Sequence, residues 1–224
     1  MTNENSAAII KTEVKLVKWM DKLASAPLAK GAAQCMRCIC YLIMAFFILC
    51  LALSCMGRQS FTLHTGGDVY DGAIYAETDH EAQFRMFTVG TKDDVHVWTN
   101  SEGVVDPRTQ AGLCLIHALQ IVPLILAYWM LSRVFSNVHS GRIFVQDNAR
   151  YLLYYGLLQC LVCLVVPWLK MLLCTLINQL STSRMTLSTG HGLLEALIPG
   201  IACVVAAYII HYGIYLQDEV DHTL

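Results

Sequence analysis

Four ionisable side chains, His117, Lys170, His191 and Glu195, lie inside or beside long apolar runs of the chain. Ionisable groups kept in apolar surroundings are costly and therefore mark candidate sites. His117 falls about a turn and a half into its run. Lys170 comes about seven residues before the end of the next run, and Glu195 opens the last, with His191 just ahead of it. If successive runs cross a bilayer in alternating directions, the four sit at one depth. An ammonium, a carboxylate and two imidazoles gathered there would form a ligand-binding polar cluster, with Lys170 and Glu195 as its natural ion pair. The simpler readings are a lysine that snorkels to the headgroups and a glutamate placed favourably at a helix N-terminus.

Other chemistry is weaker. A bis-histidine haem needs two imidazoles at matching depth, whereas His117 and His211 fall near opposite faces. Cys35, Cys38 and Cys40 carry a C-x-x-C spacing, but no second pair or histidine lies near them in sequence to complete a tetrahedral zinc site. No phosphate loop, nucleophile elbow or zinc-protease pattern occurs. The expectation is a chain with no catalytic residues, no metal and no cofactor. None of the ten cysteines falls between Cys55 and Cys114, so no disulfide framework is expected there, and the others are read as inert packing groups.

The elements that would position the cluster are four apolar runs, 38–56, 112–132, 151–177 and 193–216, each near the roughly 20 residues a spanning helix needs. A mean hydropathy of +0.51, 56% hydrophobic residues and 14% charged ones exclude an ordinary soluble domain, where about a quarter are charged. The fold class expected is an all-α membrane protein of four transmembrane helices, with a small β-rich extracytoplasmic insertion at 57–111 between helices 1 and 2. No cleavable signal peptide is expected, because the first run begins behind a lysine-rich segment.

Positive charge in short loops marks the cytoplasmic side. Lys11, Lys15, Lys18, Lys22, Lys30 and Arg37 precede the first run, and Arg133, Arg142 and Arg150 fall in the 133–150 loop. Both segments are placed inside, the 57–111 and 178–192 segments outside, and the 217–224 acidic tail inside. Both termini are thus expected in the cytoplasm.

Lys11, Lys15, Lys18 and Lys22, at spacings of four, three and four, form one stripe of a helix in the 1–37 segment, with Ile9, Leu16, Val17, Met20 and Leu23 opposite. That pattern suits a helix lying on the inner leaflet, its lysines on anionic headgroups. In the insertion, AIY (73–75), FRMFTV (84–89) and VHVW (95–98) alternate between glycines and read as part of a module of two to four strands resting on the helix ends. Pro123, Pro167 and Pro199 interrupt helices and are expected to kink them. Gln120 and Gln159 read as interhelical hydrogen-bond partners, and Ala196, Gly200, Cys203 and Ala207 as a close-packing stripe, within the bundle or between protomers.

In the loop FSNVHSGRIFVQDNARYL (135–152), Phe135, Val138, Ile143 and Phe144 surround Gly141, and Asp147 is placed as the N-cap of the third helix. With the tail LQDEVDHTL, which carries Asp218, Glu219 and Asp221, this loop resembles the YoaS-like family of bacterial multi-pass membrane proteins of unknown function. The resemblance is best from the second helix to the C-terminus and weakest in the insertion. It implies four spans in a bacterial cytoplasmic (inner) membrane and a membrane component that contacts a cytosolic DNA-binding regulator of the helix-turn-helix kind. Phe135, Val138, Gly141, Phe144 and the three acidic residues would form the contact surface, with no direct binding of nucleic acid. The function expected is a non-enzymatic sensory or regulatory membrane protein. The alternative is a small-solute transporter or channel, built as a homo-oligomer.

Overall fold

The computed structural model describes residues 27–73, 88–90, 93–188 and 193–223. In chain order the elements are α1 (Pro27–Cys55), β1 (Phe61–Thr65), β2 (Asp68–Ala73), β3 (Asp94–Trp98), α2 (Pro107–His139), α3 (Gln146–Leu164), α4 (Val166–Leu180), β4 (Arg184–Ser188) and α5 (Leu193–Thr223). Three of the helices, α1, α2 and α5, are long and apolar enough to cross a membrane, and α3 with α4 makes a fourth if that bent pair is one crossing. Large apolar side chains such as Leu42 and Phe46 on α1 and Tyr208 and Ile209 on α5 point outward. A helix apolar on all sides belongs in lipid or a large core.

The helices run past the apolar stretches. Helix α1 begins at Pro27 rather than near 38, and α5 continues through the segment expected to be a tail, to Thr223. Only one of the three prolines ends a helix. Pro123 and Pro199 lie inside continuous helices, whereas α3 stops at Leu164 and α4 leaves it at 44° with Pro167 in its first turn. Proline lacks the N–H that would bond the carbonyl four residues back, and its ring crowds that carbonyl.

The bundle closes through small residues. A Cβ added at Gly156 of α3 would stand 2.6 Å from the Gly200 carbonyl oxygen of α5, so these backbones touch. Ala207 on the same α5 stripe is buried. Within the bundle the stripe thus faces α3. Gln159 is buried there too, but its amide donates to Tyr155 Oη of its own helix, not to a neighbouring one.

Four strands form a sheet in the order β2-β1-β3-β4. Strands β1 and β2 are antiparallel across a Gly66–Gly67 turn with φ of +57° and +102°, the positive values that two-residue hairpin turns demand. Strand β3 lies parallel to β1 and antiparallel to β4. The expected strand at 95–98 is therefore present, AIY begins where β2 ends, and 84–87 lies outside the described residues. Strand β4 was not expected at all. It comes from the segment between α4 and α5 and makes the sheet a joint product of two segments. Phe61, Leu63, Val95, Val97 and Met185 on the inner face pack on Val105, Leu113, Ile116, Cys174 and Ile177. Those contacts fix the sheet to one end of the bundle, over α2 and α4.

Candidate functional site

The sheet end of the bundle buries Ser54, Gln59, His117 and Lys170. Lys170 is 4% exposed although it sits in an apolar helix. Its Nζ donates to Asp93 Oδ2 and to Gln120 Oε1, both at 2.5 Å. Asp93 immediately precedes β3, and its side chain is 11% exposed. The ammonium therefore joins α4, α2 and the insertion at one point. A buried ammonium needs such a carboxylate, because desolvation without a partner is prohibitive. The bend at Val165–Pro167 sets the direction of α4, and so of Lys170, one turn beyond it.

One turn before Gln120 on the same face of α2, His117 is also buried. Its Nδ1 lies 2.9 Å from Ser54 Oγ of α1. Gln59 Nε2 donates to that same hydroxyl at 2.7 Å, and Gln110 Nε2 donates to Gln59 Oε1 at 2.7 Å. The chain is satisfied when Ser54 donates to Nδ1 and the imidazole proton is on Nε2. It ends at Gln110 Oε1, which is buried without a hydrogen-bond partner among the described residues. His117 and Gln120 line a cavity of about 400 Å³ between α1 and α2, with Phe46, Phe47, Leu53 and Val89 among its apolar walls. An apolar chamber with two polar groups on one wall suits a small amphipathic molecule.

The partner expected for Lys170 was Glu195; among the described residues the carboxylate it bonds is Asp93. Glu195 falls in the first turn of α5 with its side chain outside the described part, and His191 lies outside the described residues. His117 and Lys170 share the sheet end but use different partners. Ser54, Gln59 and Asp93, which complete both networks, carried no sequence signal: each is polar and sits at or beyond the end of an apolar run.

Asp106 ties the segment between α1 and α2 to the one between α4 and α5. It caps α2, accepting from Arg108 N and Thr182 N, each at 2.9 Å, and from Thr182 Oγ1. Its own N–H donates to Ser183 Oγ. The backbone donors at Thr182 and Arg108 hold its carboxyl down at about 2.

At the opposite end, α2 stops in a paired-hydrogen-bond cap. Gly141 (φ +79°) donates to the Val138 carbonyl and Arg142 to that of Asn137, the Schellman arrangement that favours glycine. Phe135 and Val138 are half-buried in the last turns of α2. Phe144 is 61% exposed, with one ring edge toward Gly213 of α5. Asp147 is not the cap of α3: Val145 holds that position with no side-chain bond. The organising residue is the neighbouring Asn148, 1% exposed, which donates to the Arg142 and Ile143 carbonyls and accepts from Asn137 Nδ2. Asp218, Glu219 and Asp221 fall in α5, their side chains outside the described part, and Lys11, Lys15, Lys18 and Lys22 lie outside the described residues.

Residues 73–224 match the family described as Protein of unknown function (DUF2975). The chain belongs to that family. The DUF2975 match begins inside the insertion, earlier than the loop-and-tail resemblance reaches, so it takes in Asp93, Gln120 and Lys170 and leaves out Ser54 and Gln59. No curated protein matches the chain, and no solved structure matches it.

Proposed function

We propose that this DUF2975 protein is a non-enzymatic sensory or regulatory component of a bacterial cytoplasmic membrane. The sheet end faces outward and receives the signal, and the opposite end contacts a cytosolic partner. The observation that carries the reading is the Lys170–Asp93–Gln120 node, which ties the sheet-bearing segment to two helices inside the bundle. A ligand entering the cavity beside His117 and Gln120 would act on the helix that carries part of this node. The lysine and arginine distribution supports the orientation. At the cytoplasmic end, exposed Phe144 on a loop held by Asn148 offers a fixed apolar contact for a regulator of the helix-turn-helix kind, and α5, which carries Asp218, Glu219 and Asp221, passes Phe144 at Gly213.

The test is affinity purification of the tagged protein in mild detergent, comparing the natural chain with Phe144→Ala and with a chain lacking residues 217–224. Co-purification of a cytosolic DNA-binding protein, lost in either variant, is expected. Self-association alone would defeat the reading. One observation favours transport as the second reading. A span broken beside a buried lysine resembles the discontinuous helices at the binding sites of secondary transporters. Four spans would then need to assemble as an oligomer. Solute flux in vesicles that is lost in Lys170→Leu, with the protein still folded, would establish it.

A further inference from the structure

Cys55 is the last residue of α1 and Cys114 lies in the second turn of α2, so the two flank the insertion where it leaves and rejoins the bundle. Their sulfurs stand 3.3 Å apart. Both thiols are free, Cys55 exposed and Cys114 half-buried. We propose that Cys55 and Cys114 form a dithiol site that closes to an intramolecular disulfide on exposure to a disulfide oxidant. Closing the bond requires the sulfurs to approach from 3.3 Å to ~2.05 Å.

The exposed thiol reacts first. The Cys55 thiolate attacks a low-molecular-weight disulfide, forming a mixed disulfide and releasing one thiolate of the oxidant. The Cys114 thiolate then attacks Cys55 Sγ and releases the second. Two protein thiols are oxidised, one oxidant disulfide is reduced to two thiols, and the two protein protons end on those leaving groups. Access to such an oxidant in the cell rests on the outward orientation proposed above, since oxidising conditions prevail outside the cytoplasmic membrane.

The position gives the bond a consequence. Ser54 precedes Cys55, and Cys114 is one turn before His117, so the disulfide would brace the α1–α2 contact bridged by the Ser54–His117 hydrogen bond. The cavity lies between those two helices. Closing the bond would therefore restrict their separation and set how readily a ligand enters.

The purified full-length protein in detergent is treated with oxidised glutathione, alkylated and mapped by mass spectrometry. The expected result is a Cys55–Cys114 linked peptide with loss of alkylation at both positions. A glutathione adduct should accumulate at Cys55 in Cys114→Ser but not in the natural chain, and Cys55→Ser should give neither product. Full alkylation of both cysteines across the titration, a persistent adduct in the natural chain, or links only between molecules would overturn the pair. A membrane-impermeant maleimide applied to intact cells tests the orientation separately. Labelling of Cys55 in reduced intact cells is expected. Labelling only after the cells are opened overturns the outward orientation, whereas failure to form the bond in detergent overturns the chemistry.

Discussion

Lys170 and Asp93 form a buried ion pair between α4 and the residue that precedes β3. Breaking a buried pair leaves one charge uncompensated, which costs about 3–5 kcal/mol. Asp93→Asn should therefore destabilise the protein by about 3 kcal/mol, with Gln120 still accepting one bond. The double variant Lys170→Met/Asp93→Asn should recover much of that loss. Unfolding midpoints of the natural chain, Asp93→Asn, Lys170→Met and the double variant in one detergent measure the coupling, and additive effects would show that the pair does not act as a unit. An apolar run states the surroundings of any charge inside it, so Lys170 and His117 identify themselves; a carboxylate in a polar loop is solvated unless the fold says otherwise, and Asp93 lies 77 positions from its partner. Asp106 gives a pH signature. Its carboxyl titrates at about 2, below the ordinary 3.8. A group depressed in the folded state contributes stability that is complete above the unfolded value and is lost as pH falls from 3.8 through 2. Asp106→Asn should lower the midpoint at pH 6 and reduce its decline between pH 4 and 2, read as the difference between the two proteins.

Among the elements, hydropathy locates the spans but not their ends or their breaks. Pro123, Pro167 and Pro199 look alike in sequence, yet only Pro167 coincides with a bend separating two helices. Proline opens a gap in the hydrogen-bond ladder, and the packing around it decides whether the helix turns there. Strand β4 was missed for a different reason. RMTLS is five residues in a short polar loop, and only its register with β3 makes it a strand. The small-residue stripe was readable, and its partner sets a test. A side chain at Gly156 meets the Gly200 carbonyl and Val204, so Gly156→Val should cost at least ~1–3 kcal/mol through overpacking. Gly213→Ala is the contrast. Its added Cβ meets only the Phe144 ring at 3.8 Å, and the gain in helix propensity should leave the protein unchanged or up to ~1 kcal/mol more stable. Equal losses in the two variants would mean that glycine position on α3 and α5 does not govern their packing.

Over the whole molecule, the sheet is the feature that binds distant stretches of chain into one unit. Its outer strand β4 follows α4, and its inner face has no core without α2 and α4 beneath it. Asn178 fastens this join: its Oδ1 accepts from Met185 N and its Nδ2 donates to Met185 O, both at 2.7 Å, where α4 passes into β4. Met185 itself is fully buried against Val97 and the helices. A module that could fold alone would lose only β4 when Met185 is truncated. A sheet without its own core should instead lose protection throughout. Met185→Ala, which removes a buried side chain at a cost of about 2–5 kcal/mol, is therefore expected to increase amide exchange in β1, β2 and β3 together with β4 and the end of α4. Hydrogen exchange by mass spectrometry in detergent reads this strand by strand. Loss confined to β4 would show that the insertion is a separate folding unit, and a signal received there would then have no packed path to Lys170 other than Asp93.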